Sequence, residues 1–370
     1  MSKLSLGMLS AFWPEGVFRY ANIPLQTVTD ACVRRPASMW REKEALVTPE
    51  ASITYGQLLL SVDEGASALR GQLAPGAKVS WRLLSPRDEV VWLLAIIEAG
   101  LIACPHPEAS VDAAVSAERW PGVTTFTPQE LLGGPKAEPP SQRPDLRSPR
   151  LVMGGPSGEV SYSHRALVAM ALSWAAFFQL GEDVEVALVE PPTHWLGLAA
   201  LLASLMRGSR TYLLWGRPSL ATPVDYLVAS WEILDGEEMD SWRGMVRIGV
   251  LAGLEGPFSP WRRRWLSWRL RAPILTILGR NDLGPVLASH PEWHLPDAVG
   301  IPLCNVDTRP LDPAHGQPLA VGWDVIEAAE LGVKSPMVPQ GAQLTEESWA
   351  RSHLLASIDP SGLFYLLKRA

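Results

Sequence analysis

The chain has 370 residues, 47% hydrophobic and 19% charged, with a formal net charge of −7. A charged share below the roughly 25% of an average globular protein excludes extensive disorder, and the length allows one large domain or several packed subdomains. A pI near 5.6 excludes a general nucleic-acid binder. Cys32, Cys104 and Cys304 form no C-x-x-C pair, which points to a reduced compartment without structural zinc. Met1–Trp13 has no long apolar signal-type region, and the apolar stretch 195–206 falls short of the roughly 20 residues of a membrane span, so a cytoplasmic protein is expected. The 16 tryptophans leave two readings open, a tryptophan-rich core and broad aromatic contact surfaces.

In chain order, Ile53-Thr54-Tyr55 reads as a strand entry, followed by a helix with apolar residues at Leu58, Leu59, Val62, Ala66 and Leu69. Pro75-Gly76 marks a turn and Lys78–Leu84 a strand. Val90–Ala99 reads as a buried helix closed by Gly100, and 101–105 starts another strand. This alternation predicts a parallel sheet with helices on its faces. Residues 133–149 hold five prolines and read as a linker. A second α/β run follows: helix 164–179, strand 184–189, helix 195–207, strand 210–214 and strand 246–251. Beyond about residue 300, short strands with Pro and Gly punctuation predict a small β-rich subdomain.

Several of these segments carry motifs. Ile53-Thr54-Tyr55-Gly56-Gln57-Leu58, Leu73-Ala74-Pro75-Gly76-Ala77-Lys78-Val79 and the stretch 92–105 come first. Val160-Ser161-Tyr162-Ser163-His164, Pro192-Thr193-His194-Trp195-Leu196-Gly197, Leu251-Ala252-Gly253-Leu254-Glu255-Gly256-Pro257 and Leu278-Gly279-Arg280-Asn281-Asp282 follow. In this order they resemble the motifs of the adenylate-forming superfamily, which includes acyl-CoA synthetases, aryl ligases and nonribosomal-peptide adenylation domains. No single segment is specific; their shared order along nearly the whole chain carries the resemblance. The fold implied is α/β: two α/β subdomains with mainly parallel sheets plus a small C-terminal β-rich subdomain, as in the N-terminal domain of AMP-forming ligases. The expected divisions are 1–149, 150–295 and 296–370. The mobile C-terminal domain that follows in the family is expected to lie outside this chain.

The resemblance also assigns candidate site residues. The family's phosphate loop, T-S-G-T-T-G-x-P-K-G, corresponds to Met153–Glu159. Gly154, Gly155, Ser157 and Gly158 are candidates for an N–H nest, but the loop is shortened, its lysine is lost, and Glu159 brings a negative charge. The family's Y-G-x-T-E corresponds to 278–282, making Asp282 the candidate catalytic carboxylate and magnesium ligand and Asn281 a nucleotide-binding candidate. Leu278 replaces the adenine-stacking tyrosine, and counting back from Arg369 sets Ser352-His353-Leu354 on the ribose-binding T-G-D. His194, Trp195, Gly197 and Gly253 correspond to the acyl pocket. Separately, Trp261, Arg262, Arg263, Arg264, Trp265 and Trp268 form a basic amphipathic segment suited to an acidic partner such as an acyl carrier protein, or to an anionic membrane surface.

Losing one charged transition-state partner costs about 10²–10³ in rate. The reading that follows is a degenerate ligase homologue in a biosynthetic pathway, binding an acyl group, a small carboxylic acid or a partner protein, with little adenylation of its own. Two others stay open. One is a divergent working ligase that uses ATP and magnesium and is completed by a separate C-terminal domain. The other is a noncatalytic interaction module built on the Trp/Arg segment.

Overall fold

The computed structural model describes residues 13–367, apart from 84, 106–109, 140–143, 157, 216–218, 236–240 and 321–324. The longest described helix, Tyr55–Gln72, begins at a capping box in which Thr54 Oγ1 accepts from the Gln57 amide and the Gln57 side chain accepts from the Thr54 amide. Its buried residues, among them Leu58, Val62, Ala66 and Leu69, repeat at helical spacing and pack against the helix Pro86–Glu98. Helix Trp195–Arg207 buries every residue from Trp195 to Leu205, so it lies inside the molecule. It packs against helix His164–Phe177 and against strands of the larger sheet.

That sheet has nine strands, in the order 301–302, 284–288, 274–280, 246–254, 224–230, 185–188, 210–213, 44–47 and 52–54. Its six strands from Ile274–Arg280 to Glu44–Val47 run parallel. A six-stranded sheet runs 124–126, 113–116, 78–82, 102–103, 149–155 and 158–163, parallel except for its last pair. Strands 307–311, 326–334, 350–358 and 364–366 form a small antiparallel sheet. The α/β class and the β-rich C-terminal part agree with the sequence reading.

Sheet membership does not follow divisions at 149/150 and 295/296. Pro149–Gly155 and Gly158–Ser163 complete the six-stranded sheet, while Glu44–Val47 and Ser52–Thr54 join the nine-stranded one. The physical reason is the parallel crossover, which seats a strand beside a partner far away in sequence. Residues 134–148 carry no described helix or strand, as their prolines require, but Gly133 ends a helix and Pro149 opens a strand.

Trp174, Trp195 and Trp242 are fully buried, as a tryptophan-rich core requires, while Trp261 and Trp268 are exposed. Cys32, Cys104 and Cys304 are buried free thiols, and burial pushes all three above the ordinary thiol range. No helix among the described residues is long and apolar enough to cross a membrane.

His164, first residue of its helix, is enclosed by donors. Its Nε2 faces Arg150 Nε at 3.1 Å and its Nδ1 faces the Val28 amide at 3.2 Å. Burial first, then the Arg150 charge, lowers its pKa from 6.5 to about 4. Below pH 6.5 the unfolded chain therefore takes up a proton that the folded chain refuses until about pH 4. This one group should remove about 3 kcal/mol of stability across that window. In urea titrations between pH 7 and 4, His164→Gln should flatten that part of the slope; an unchanged slope would show that the ring is accessible to protons.

Candidate active site

The candidate site lies beyond the C-terminal ends of parallel strands in the nine-stranded sheet, the usual crevice for ligands in open α/β sheets. Strand Glu185–Leu188 leads to Glu190, strand Val224–Ser230 ends at Ser230, strand Val246–Leu254 leads to Glu255, and strand Ile274–Arg280 leads into Asn281 and Asp282. From the six-stranded sheet, the hairpin of Pro149–Gly155 and Gly158–Ser163 reaches the same place, with Gly155 paired to Gly158. A Cβ on Gly155 would stand 3.1 Å from Asp282 Cβ, so the hairpin and the Asn281–Asp282 turn pack in direct contact. The structure thus joins Gly154, Gly155, Asn281, Asp282, His194 and Trp195 in one region. Ser157 lies outside the described residues.

Asp282 is nearly buried and closed on Arg280. Arg280 Nε donates to Oδ1 at 2.6 Å and Nη2 donates to Oδ2 at 2.8 Å, a bidentate pair. The remaining guanidinium nitrogen, Nη1, donates to the Ser352 carbonyl at 2.7 Å. Ser352, first of the Ser352-His353-Leu354 stretch, thus touches Arg280 through its carbonyl. Asp282, the candidate magnesium ligand, thus has both carboxylate oxygens engaged by a cation of the chain itself.

Asn281 likewise differs from its expected role. Its Oδ1 accepts from the Trp195 amide at 3.1 Å, its Nδ2 donates to the Gly154 carbonyl at 2.9 Å, and its own carbonyl accepts from the Tyr162 hydroxyl at 2.8 Å. The side chain ties the N-terminus of helix Trp195–Arg207 to the hairpin, using one amide hydrogen and one oxygen lone pair. Gly154 and Gly155 belong to a paired strand, and Gly158, at φ +120°, opens the return strand.

His194 caps helix Trp195–Arg207, its Nδ1 accepting from the Leu196 amide at 3.4 Å. That bond leaves the ring proton on Nε2, which faces Glu255 Oε1 at 3.3 Å. Trp195 Nε1 donates to the same oxygen at 3.1 Å. The His194 hydrogen bond, with the Trp195 donor, holds Glu255 below the usual carboxylate range despite partial burial. On the other side, Glu190 Oε2 lies 3.9 Å from His194 Nδ1, while Glu190 Oε1 accepts from the Ser230 amide at 3.0 Å. Glu190 and Glu255 are the site residues that motif reading passed over. The available signals were a carboxylate four residues before His194 and another closing the Gly253 turn.

Gly197 and Gly253 were expected to line the pocket; they are close-packing positions instead. A Cβ on Gly197 would fall 2.3 Å from the Pro191 carbonyl oxygen, and one on Gly253 would fall 2.7 Å from Leu196 Cδ2. Gly279 does the same for the fully buried Trp195, whose Cζ3 would lie 2.4 Å from an added Cβ. A cavity of about 460 Å³ lies at the opposite end of the helix, among Asn22, Gln26, Arg35, Trp40, Met206 and Arg207. Roughly 18 Å of helix therefore separates it from His194.

The segment Pro260–Leu270 is a helix set apart from these residues. Arg263 on it is not part of a partner surface: it is 2% exposed, and its guanidinium donates to the carbonyls of Ile274, Leu295 and Ala298 and to Ser289 Oγ. Trp261, Arg264 and Trp268 are exposed, and Arg262 and Trp265 are half-buried.

No protein-family model matches the chain, and no curated protein matches it in sequence. Comparison of folds gives a clear result. The o-succinylbenzoate CoA synthetase of Bacillus subtilis, bound to the product analogue OSB-NCoA, superimposes with a TM-score of 0.78 at 18% identity, over 93% of this chain and 79% of that one. The chain has the fold of the N-terminal domain of an AMP-forming ligase. A second match is the N-terminal subdomain of Klebsiella oxytoca NpsA with 3-hydroxyanthranilyl-AMSN (TM-score 0.76, 16% identity, 93% and 99% covered). ATP-bound MatB of Rhodopseudomonas palustris is a third (TM-score 0.75, 18% identity, 93% and 79% covered). The adenylate-forming fold expected from seven short motifs is therefore present.

Proposed function

We propose that this protein uses the AMP-forming ligase fold to hold a small acyl or aryl carboxylic acid, without activating it through ATP on its own. The observation that carries this reading is the bidentate Arg280–Asp282 pair, in which the chain's own guanidinium stands where the resemblance would seat magnesium. The electrostatics point the same way. Beside the hairpin Arg280 is neutralised by Asp282 and Lys78 by Glu159 at 3.1 Å, so neither cation is left to meet a triphosphate, and Glu255 adds a negative charge. Unpaired charges of a polyanion are costly to desolvate in a partly enclosed crevice. A small carboxylic acid carries a far smaller charge than a triphosphate, and solved neighbours of the same fold hold the product analogue OSB-NCoA and 3-hydroxyanthranilyl-AMSN.

Calorimetric titration separates the alternatives. Magnesium–ATP should give no binding heat, whereas a panel containing o-succinylbenzoate and 3-hydroxyanthranilate should contain at least one acid that raises the melting temperature. Micromolar ATP binding, or pyrophosphate exchange that depends on an added carboxylic acid, would identify a working ligase and overturn the proposal. Failure of every acid to bind would remove its acyl half.

A further inference from the structure

Helix Pro260–Leu270 turns Arg263, Leu266 and Leu270 into the molecule, one stripe at i, i+3 and i+7. The opposite stripe carries Trp261, Trp265 and Trp268, spaced i, i+4 and i+7, with Trp261 and Trp268 each 72% exposed. That spacing is the d-a-d seam of a heptad repeat. With Trp261 at d, the e positions are Arg262 and Arg269 and the g positions are Arg264 and the C-cap residue Arg271. Every flanking position is therefore arginine. Arg262 and Arg269 stack on Trp265, their guanidinium carbons 5.8 and 5.1 Å from its ring, which fixes that ring at the centre of the seam. Arg264 and Arg271 are exposed along the g flank; Arg264 lies 3.8 Å from the exposed Asp297.

The geometry points to this seam as the docking face for a helix of another protein, one that carries aliphatic side chains in its own a and d positions and carboxylates on the flank facing Arg264 and Arg271. Tryptophan and arginine are the residues that most often dominate binding energy at interfaces, and Trp261 and Trp268 stand one heptad, about 10 Å, apart along the axis. A second copy of this chain is disfavoured, because parallel and antiparallel pairing would both set arginine against arginine. The inference is independent of the proposed function, since the seam shares no residue with the crevice.

The test uses the full chain and two synthetic peptides of about three heptads, both with Leu at a and d, one with Glu and the other with Lys at e and g. Binding is followed by calorimetry and tryptophan emission. The Glu peptide should bind with micromolar affinity and the Lys peptide should not. Trp261→Ser with Trp268→Ser should abolish binding. Arg264→Glu with Arg271→Glu should weaken the Glu peptide about tenfold and create affinity for the Lys peptide. Vesicles containing one part phosphatidylserine to two of phosphatidylcholine form a further arm. The inference is overturned if the Glu peptide fails to bind at about 1 mM, if both peptides bind alike, or if vesicles bind and the Glu peptide does not. It is equally overturned if the tryptophan substitutions convert a dimer of this chain into a monomer.

Discussion

Replacing Arg280 with alanine should destabilise the protein by about 3–5 kcal/mol, read as a lower urea midpoint with an unchanged slope. The cause is what remains. Asp282, 6% exposed, would keep a charge whose two oxygens had lost their donors, packed against Gly155 and beside the buried Tyr162. The Ser352 carbonyl would also lose its partner, loosening the small antiparallel sheet from the crevice. Adding Asp282→Asn to Arg280→Met should recover most of the loss, because a neutral pair of similar volume strands no charge. The outcome also bears on function. A loss below about 1 kcal/mol would mean that the pair behaves as an exposed contact, and Asp282 would then be available to a cation.

Arg263→Ala should cost about 3–5 kcal/mol, whereas Arg264→Ala next to it should stay within about 0.5 kcal/mol. Arg263 is a buried cation with no carboxylate at ion-pair distance among the described residues; burial lowers its pKa to about 10, and three carbonyls and a hydroxyl take its protons at 2.6–3.0 Å. Truncation would take the guanidinium donors from the Ile274, Leu295 and Ala298 carbonyls, leaving Leu295 only the Ala298 amide, and open a void under the helix. Arg263→Lys should restore little, since an ammonium cannot reproduce the planar fork that spans these acceptors. Equal, small effects at both positions would show that Arg263 is solvated in solution.

Among Arg262, Arg263 and Arg264 the sequence offers three like charges, and nothing local to the string separates them. Helical phase decides: Arg263 shares the buried stripe of Leu266 and Leu270. The same limit applies to the site. Helix Trp195–Arg207 was legible to the residue, because its apolar run begins after a capping His194 and ends at Gly208 in the left-handed region. Strands Val224–Ser230 and Ile274–Arg280, in the middle of the larger sheet, were not read as strands, because short apolar runs buried on both faces lack the alternation that marks a strand. Motif order identified the fold. It could not show that Asp282 is held by Arg280 two residues earlier, nor that Asn281 is spent on the Trp195 amide and the Gly154 carbonyl. Those are facts of side-chain direction.

The place of Glu44–Val47 next to the edge strand of the larger sheet has a consequence for synthesis. Leu46 pairs with Thr211, so the first strands of that sheet leave the ribosome long before their neighbour exists. At 5–20 residues per second the wait is roughly 10–30 s. During that interval Glu44–Val47 and Ser52–Thr54 can pair with each other but not with the rest of the sheet. A ribosome stalled between these points would carry an unpaired, partly apolar strand edge, the kind of surface that chaperones recognise.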